Sequence, residues 1–184
     1  MSKRNDLTVW DRPVRLLHWA LVLCVSTAWW TGGHTDGWHE NFGYAVAAIV
    51  AARLAWGLGT SHHAHYARFA QFVRGPHTTW AYARAVWHRQ APRHLGHNPL
   101  GGWMVLALLG SCAALCLSGW LYTTDWLWGY GWLYWTHFVL GWLLVGLVVL
   151  HLAGVAFTSW QHRENLVRAM LTGRKRAPGE HDVR

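Results

Sequence analysis

Between Trp132 and Trp160 the chain runs almost unbroken through apolar residues, and the segment holds two histidines, His137 and His151. At about 1.5 Å of rise per residue, the fourteen residues from one to the other span roughly 21 Å of helix, most of a bilayer's hydrocarbon core. The same steps, at about 100° each, come to roughly 320° beyond whole turns, so both imidazoles leave the helix from nearly one face. A single helix thus offers two stacked ligand positions, one near each membrane surface. Polar, titratable side chains are expensive at that depth and call for partners.

The rest of the chain is built to the same pattern. Only 13% of its residues are charged while 53% are hydrophobic, and it contains 16 tryptophans. Soluble domains carry about a quarter charged residues. Four apolar segments, 14–31, 39–58, 103–122 and 132–160, are read as spans of an all-α, integral membrane four-helix bundle occupying residues 1–176, with a polar C-terminal tail at 177–184. Between spans two and three the composition turns polar and basic. There His77–Gln90 places Trp80, Ala83 and Trp87 at helical spacing opposite Arg84 and His88, which predicts an amphipathic helix on the membrane surface. Behind the first segment stands no small-residue cleavage site, so it reads as a span rather than a secretory signal.

Sidedness follows from charge. All sixteen Lys and Arg residues fall in the termini and the 59–99 loop or, for Arg15 and Arg53, within a turn or two of that side. The charged residues of the two short loops are acidic only, Asp36 and Asp125, with Glu40 beside the first. By the positive-inside rule both termini are cytoplasmic. The net charge of +8 is accounted for by topology, not by nucleic-acid binding.

Topology then fixes depth. His18 and His151 share the inner level, and His39 and His137, each in the first turns of a span that starts outside, share the outer level. Two pairs of neutral imidazoles, with no carboxylate or thiolate beside them, suit haem iron better than zinc, which usually takes four ligands. Gly43 and Gly141 each follow a ligand by one turn, where a flat macrocycle or a neighbouring helix would approach. Trp38, Tyr130, Trp132, Tyr134 and Trp135 gather at the outer level, as porphyrin packing or as an interfacial belt. Arg15 and Arg53 are candidates for haem propionates, and His34 and His97 are substitute ligands; His62, His63 and His65 read as surface residues. Cys24, Cys112 and Cys116 lie in apolar segments outside any Cys-x-x-Cys-His pattern, so they read as packing residues and covalent haem is not expected.

These residues resemble the prokaryotic cytochrome b561 and Ni,Fe-hydrogenase b-type cytochrome family. The likeness runs from about Val9 to Arg176 through Val9-Trp10-Asp11, Arg15-Leu16-Leu17-His18-Trp19, His39-x-x-x-Gly43, the Gly96–Gly102 motif, His137, His151 with Gly154, Asn165–Met170 and Gly173-Arg174-Lys175. The resemblance implies two non-covalent b haems in a multi-pass protein of the bacterial inner membrane, with ligands falling on His18, His39, His137 and His151. It implies electron transfer between quinone and a redox partner such as a periplasmic c-type cytochrome. Other partners it leaves open are membrane lipid and a second copy of the chain in a homodimer. Hydrogenase-type members usually carry an additional transmembrane helix, and no fifth span is found here, which favours a stand-alone cytochrome or one serving a periplasmic c-type cytochrome. Three other readings stay open: a quinol oxidoreductase acting on a small diffusible oxidant, a b-type subunit of a hydrogenase, and a haem-free, histidine-lined metal transporter.

Overall fold

The computed structural model describes residues 6–33, 37–59, 65–180 and 182–183. Lys3, Arg4, His34, Asp36, His62 and His63 lie outside the described residues, as does the side chain of His65. The described chain is helical, in the order β1 (Leu7–Thr8), α1 (Arg12–Thr31), α2 (Trp38–Leu58), a single 3-10 turn (His65–Ala67), α3 (Phe69–Phe72), α4 (Pro76–Trp87), α5 (Pro99–Tyr122), α6 (Gly131–Gln161), α7 (Leu166–Thr172) and β2 (Arg174–Lys175). Three helices, α2, α5 and α6, are long and apolar enough to cross a membrane. The fourth long helix, α1, is less apolar because Arg12, Arg15 and His18 occupy its first two turns. At 31 residues α6 is about 46 Å long, more than a hydrocarbon core requires.

Helix starts follow local chemistry. Asp11 Oδ1 accepts the backbone N–H of Val14 at 2.9 Å, capping α1, and Pro13 sits in the first turn where its missing N–H costs nothing. Asn98 does the same for α5, accepting from Gly101 N at 2.7 Å, with Pro99 as the first helical residue. That cap starts α5 at Pro99, four residues before the expected boundary at Trp103, and carries the helix through Gly101 and Gly102. The predicted surface helix is present as α4 but stops at Trp87 rather than Gln90, where Arg89 turns to φ 58°.

The chain forms two compact units. One comprises Leu16–Leu54 and Leu106–Val149. Within it all four long helices meet: Trp29 of α1 packs edge-on against Trp142 of α6 at 5.2 Å, and Cys116 Sγ of α5 donates to the Gly43 carbonyl of α2 at 3.4 Å. Its outward surface is apolar, with Val139, Leu143 and Val149 of α6 exposed, which is the arrangement a lipid solvent favours.

The other unit draws on the chain up to Arg15, on Ala55–Val105 and on the chain from Leu150 onward. Here the family-like segments at the two ends of the sequence come together. β1 and β2 pair antiparallel, Leu7 opposite Lys175, and the Gly173 carbonyl accepts from both Val9 N (2.9 Å) and Trp10 N (3.1 Å). Gly173 has φ +80°, closing α7 as its left-handed cap, and a Cβ there would lie 2.7 Å from the Trp10 carbonyl oxygen. Only glycine fits both demands. Val9, Trp10, Val14, Ala67 and Ala169 make the small core of this unit, and Asp11 Oδ2 ties it to Trp56 by accepting its indole N–H at 2.9 Å.

Candidate functional site

Of the four sequence-predicted ligands, the structure brings together His39 and His137. Their rings stand 5.8 Å apart, centroid to centroid, with planes at 79°. His39 is the second residue of α2 and His137 lies in the second turn of α6. Each ring is held by a hydrogen bond at Nδ1. His39 Nδ1 is 2.8 Å from the carbonyl oxygen of Ala28, in the last turn of α1. A carbonyl only accepts, so Nδ1 carries the proton and Nε2 keeps its lone pair. The contact also satisfies one of the carbonyls that α1 leaves unpaired at its end.

His137 Nδ1 is 3.0 Å from Ser118 Oγ, whose own proton goes to the Leu115 carbonyl at 3.1 Å. With its single donor used, the hydroxyl accepts from His137, and that ring too presents a bare Nε2. Gly119 makes the pose sterically feasible: a Cβ there would crowd His137 Cε1 at 3.1 Å. Two imidazoles from two helices, each locked in the tautomer that leaves Nε2 free to ligate, are the donor set an axially bis-ligated iron needs. Among the described residues no three His, Cys, Asp or Glu side chains gather as a protein-only metal site.

The surroundings divide the remaining predictions. A Cβ at Gly43 would meet open space, whereas one at Gly141 would touch Trp29 at 3.5 Å, so Gly141 serves helix packing. Trp38, Tyr130, Trp132, Tyr134 and Trp135 are all exposed, as an interfacial belt would be. His18, half-buried and edge-on to Trp19 at 5.2 Å, belongs to the same unit as His39 and His137. His151, also half-buried, belongs to the other. Arg53 is buried within α2. Arg15 points to the end of α7, where Nε donates to the Met170 carbonyl at 3.3 Å and Nη2 to that of Leu171. That role explains Arg15 without a propionate. His97 is packed between Trp10 (4.6 Å) and Phe72 (4.4 Å).

Residues 9–173 match the family model for prokaryotic cytochrome b561. The chain belongs to the prokaryotic cytochrome b561 family. Cytochromes b561 of this family are membrane proteins that bind b-type haem and transfer electrons, and this chain is one of them. No curated protein and no solved structure matches it.

Sequence reading passed over Ser118 and Gly119, although a Ser-Gly pair inside an apolar span is a visible signal. It also passed over a polar cluster in the cytochrome's other unit. Arg93 is buried and grips Glu164 with two donors, Nε to Oε2 at 3.2 Å and Nη2 to Oε1 at 2.7 Å, while Nη1 donates to Asp182. Beside it, burial lowers the pKa of Lys175 to about 8, against the pull of Glu164 and Asp182. Burial, with Lys175, His162 and Arg74 nearby, lowers that of His94 to about 4.

A pH dependence follows. An unfolded chain binds a proton at His94 below its ordinary 6.5, while the folded protein resists until about 4, so folding stability is full above pH 6.5 and drains away as pH falls. After allowance for solvent screening the loss is about 2 kcal/mol. Thermal unfolding followed from pH 7 to 5 should show a falling midpoint in the wild type and a flatter profile in His94→Gln.

Proposed function

We propose that this cytochrome carries electrons across the bacterial inner membrane through two non-covalent b haems, one held by His39 and His137 and the other by His18 and His151. In this reading α1, α2, α5 and α6 all span, with both termini cytoplasmic, and electrons pass between the quinone pool and a redox protein such as a periplasmic c-type cytochrome. The observation that carries it is the His39–His137 pair with both Nδ1 atoms engaged. When bound, haem supplies one-electron redox chemistry. The chain's own residues do the rest. His39 and His137 would hold the iron between them, which favours transfer at a distance over direct reaction with an oxidant. Ala28 and Ser118 fix ring orientation and, by hydrogen bonding at Nδ1, raise ligand basicity.

Proteoliposomes test the vectorial part. With a membrane-impermeant reductant inside and ferricyanide outside, ferricyanide should be reduced faster than in protein-free vesicles, and including a quinone in the bilayer should change the rate. A rate equal to that of empty vesicles would contradict transmembrane transfer.

A further inference from the structure

Two hollows flank the start of α4. The first, about 280 Å³, is lined on its polar side by Tyr66, Arg74, Thr78, His94 and His97. The second is a groove of about 410 Å³ walled by Pro76, Thr79, Trp80, Ala83, Leu100 and Trp103. They share a wall. Arg74 lines the polar hollow while its carbonyl accepts the indole N–H of Trp103 at 3.0 Å, and Thr79 Oγ1 takes the same donor at 3.1 Å. With its one polar atom satisfied by these two acceptors, Trp103 offers the groove carbon.

The two hollows differ in charge as well as polarity. Among the described residues no acidic side chain lines either one. The Arg74 side chain is exposed and forms no ion pair among the described residues, and His94 Nδ1 is buried without a hydrogen-bond partner among them. Trp80 and Trp87, on α4, are 68% and 86% exposed, a wide apolar face that water would not favour. Leu100 and Trp103 belong to the first turns of α5, a helix apolar enough to cross the membrane, so the groove opens where headgroups give way to acyl chains.

We propose that this pair of hollows is a binding site for one anionic phospholipid, its phosphate held by Arg74 and Thr78 at the polar hollow and an acyl chain laid along the Trp80–Trp103 groove. The site rests on α5 crossing the membrane. The lipid pins α4 to the cytoplasmic leaflet, where anionic headgroups and basic side chains attract one another.

Native mass spectrometry of the full haem-loaded protein tests this with phosphatidylglycerol, phosphatidylcholine of the same acyl chains, and glycerol phosphate as probes. Phosphatidylglycerol should bind at about five- to tenfold lower concentration than phosphatidylcholine, the effect of one basic side chain near a headgroup. Arg74→Gln should erase that preference while leaving the backbone contact to Trp103, and Ala83→Trp, which fills the groove, should weaken both lipids alike. Thr78→Glu supplies a second variant and should disfavour phosphatidylglycerol only. Equal binding of the two lipids by the wild type, or a preference that survives Arg74→Gln, would overturn the site. Binding of glycerol phosphate as tight as that of the lipid would reassign it to a soluble anion. Labelling of single cysteines placed at either end of α5 by a membrane-impermeant thiol reagent tests its spanning separately, so failure of that reading is distinguishable from failure of the lipid site.

Discussion

His137→Ala should leave the purified protein with about half the haem of the wild type, because under the proposed pairing His39 and His137 would lose a ligand while His18 and His151 would keep both. The structure explains why the substitution is confined in effect. His137 contributes its ring to a cleft made by Ser118 and Gly119, and neither neighbour needs the imidazole to keep its helix. Ser118 Oγ retains the Leu115 carbonyl as an acceptor. Haem per polypeptide, read from a pyridine haemochrome spectrum, is the check. Full haem content in the variant would remove His137 from the ligand set.

The second large effect concerns the ion pair of the unit that contains Arg93. Glu164→Gln keeps the shape of the side chain but removes the charge that faces buried Arg93 through two hydrogen bonds. Breaking one side of a buried ion pair costs about 3–5 kcal/mol, since the surviving charge stays desolvated. Asp182 still accepts from Arg93, so the lower end, about 3 kcal/mol, is expected. Glu164 also accepts the backbone N–H of Arg176 at 3.0 Å, which ties the C-terminal segment to the same cluster. Burial alone would push the Glu164 carboxyl up; the hydrogen bonds from Arg93 and Arg176 outweigh it and hold its pKa below the ordinary value. The pair's contribution is therefore present at neutral pH and is lost as pH falls through that depressed value. Thermal unfolding at pH 7 should show the variant well below the wild type, and at low pH the two should converge.

The sequence discloses what depends on long periodic runs and hides what depends on side chains meeting across the chain. Four helices are readable because apolar runs of eighteen or more residues have few other uses, and their ends move by at most four residues because caps such as Asn98 act locally. His39 and His137 are readable as partners because topology assigns both to one depth. The reason those rings face the right way is not readable, since the Ala28 carbonyl and the Ser118 hydroxyl act through tertiary contacts. The C-terminal stretch reads as a basic tail when only its charges are counted. In the structure it folds, because Asn165 and Gly173 cap a short helix and Glu164, Arg176 and Asp182 converge on an arginine from about seventy to ninety residues away in sequence. No local pattern announces such a convergence.

The most direct test of the central claim is the number of b haems on the purified wild-type chain, from a pyridine haemochrome assay paired with a reduced-minus-oxidised spectrum. Two haems per polypeptide is the predicted result, one for each histidine pair. A single haem would contradict the pairing of His18 with His151 or of His39 with His137, and a colourless protein would contradict the electron-transfer reading altogether.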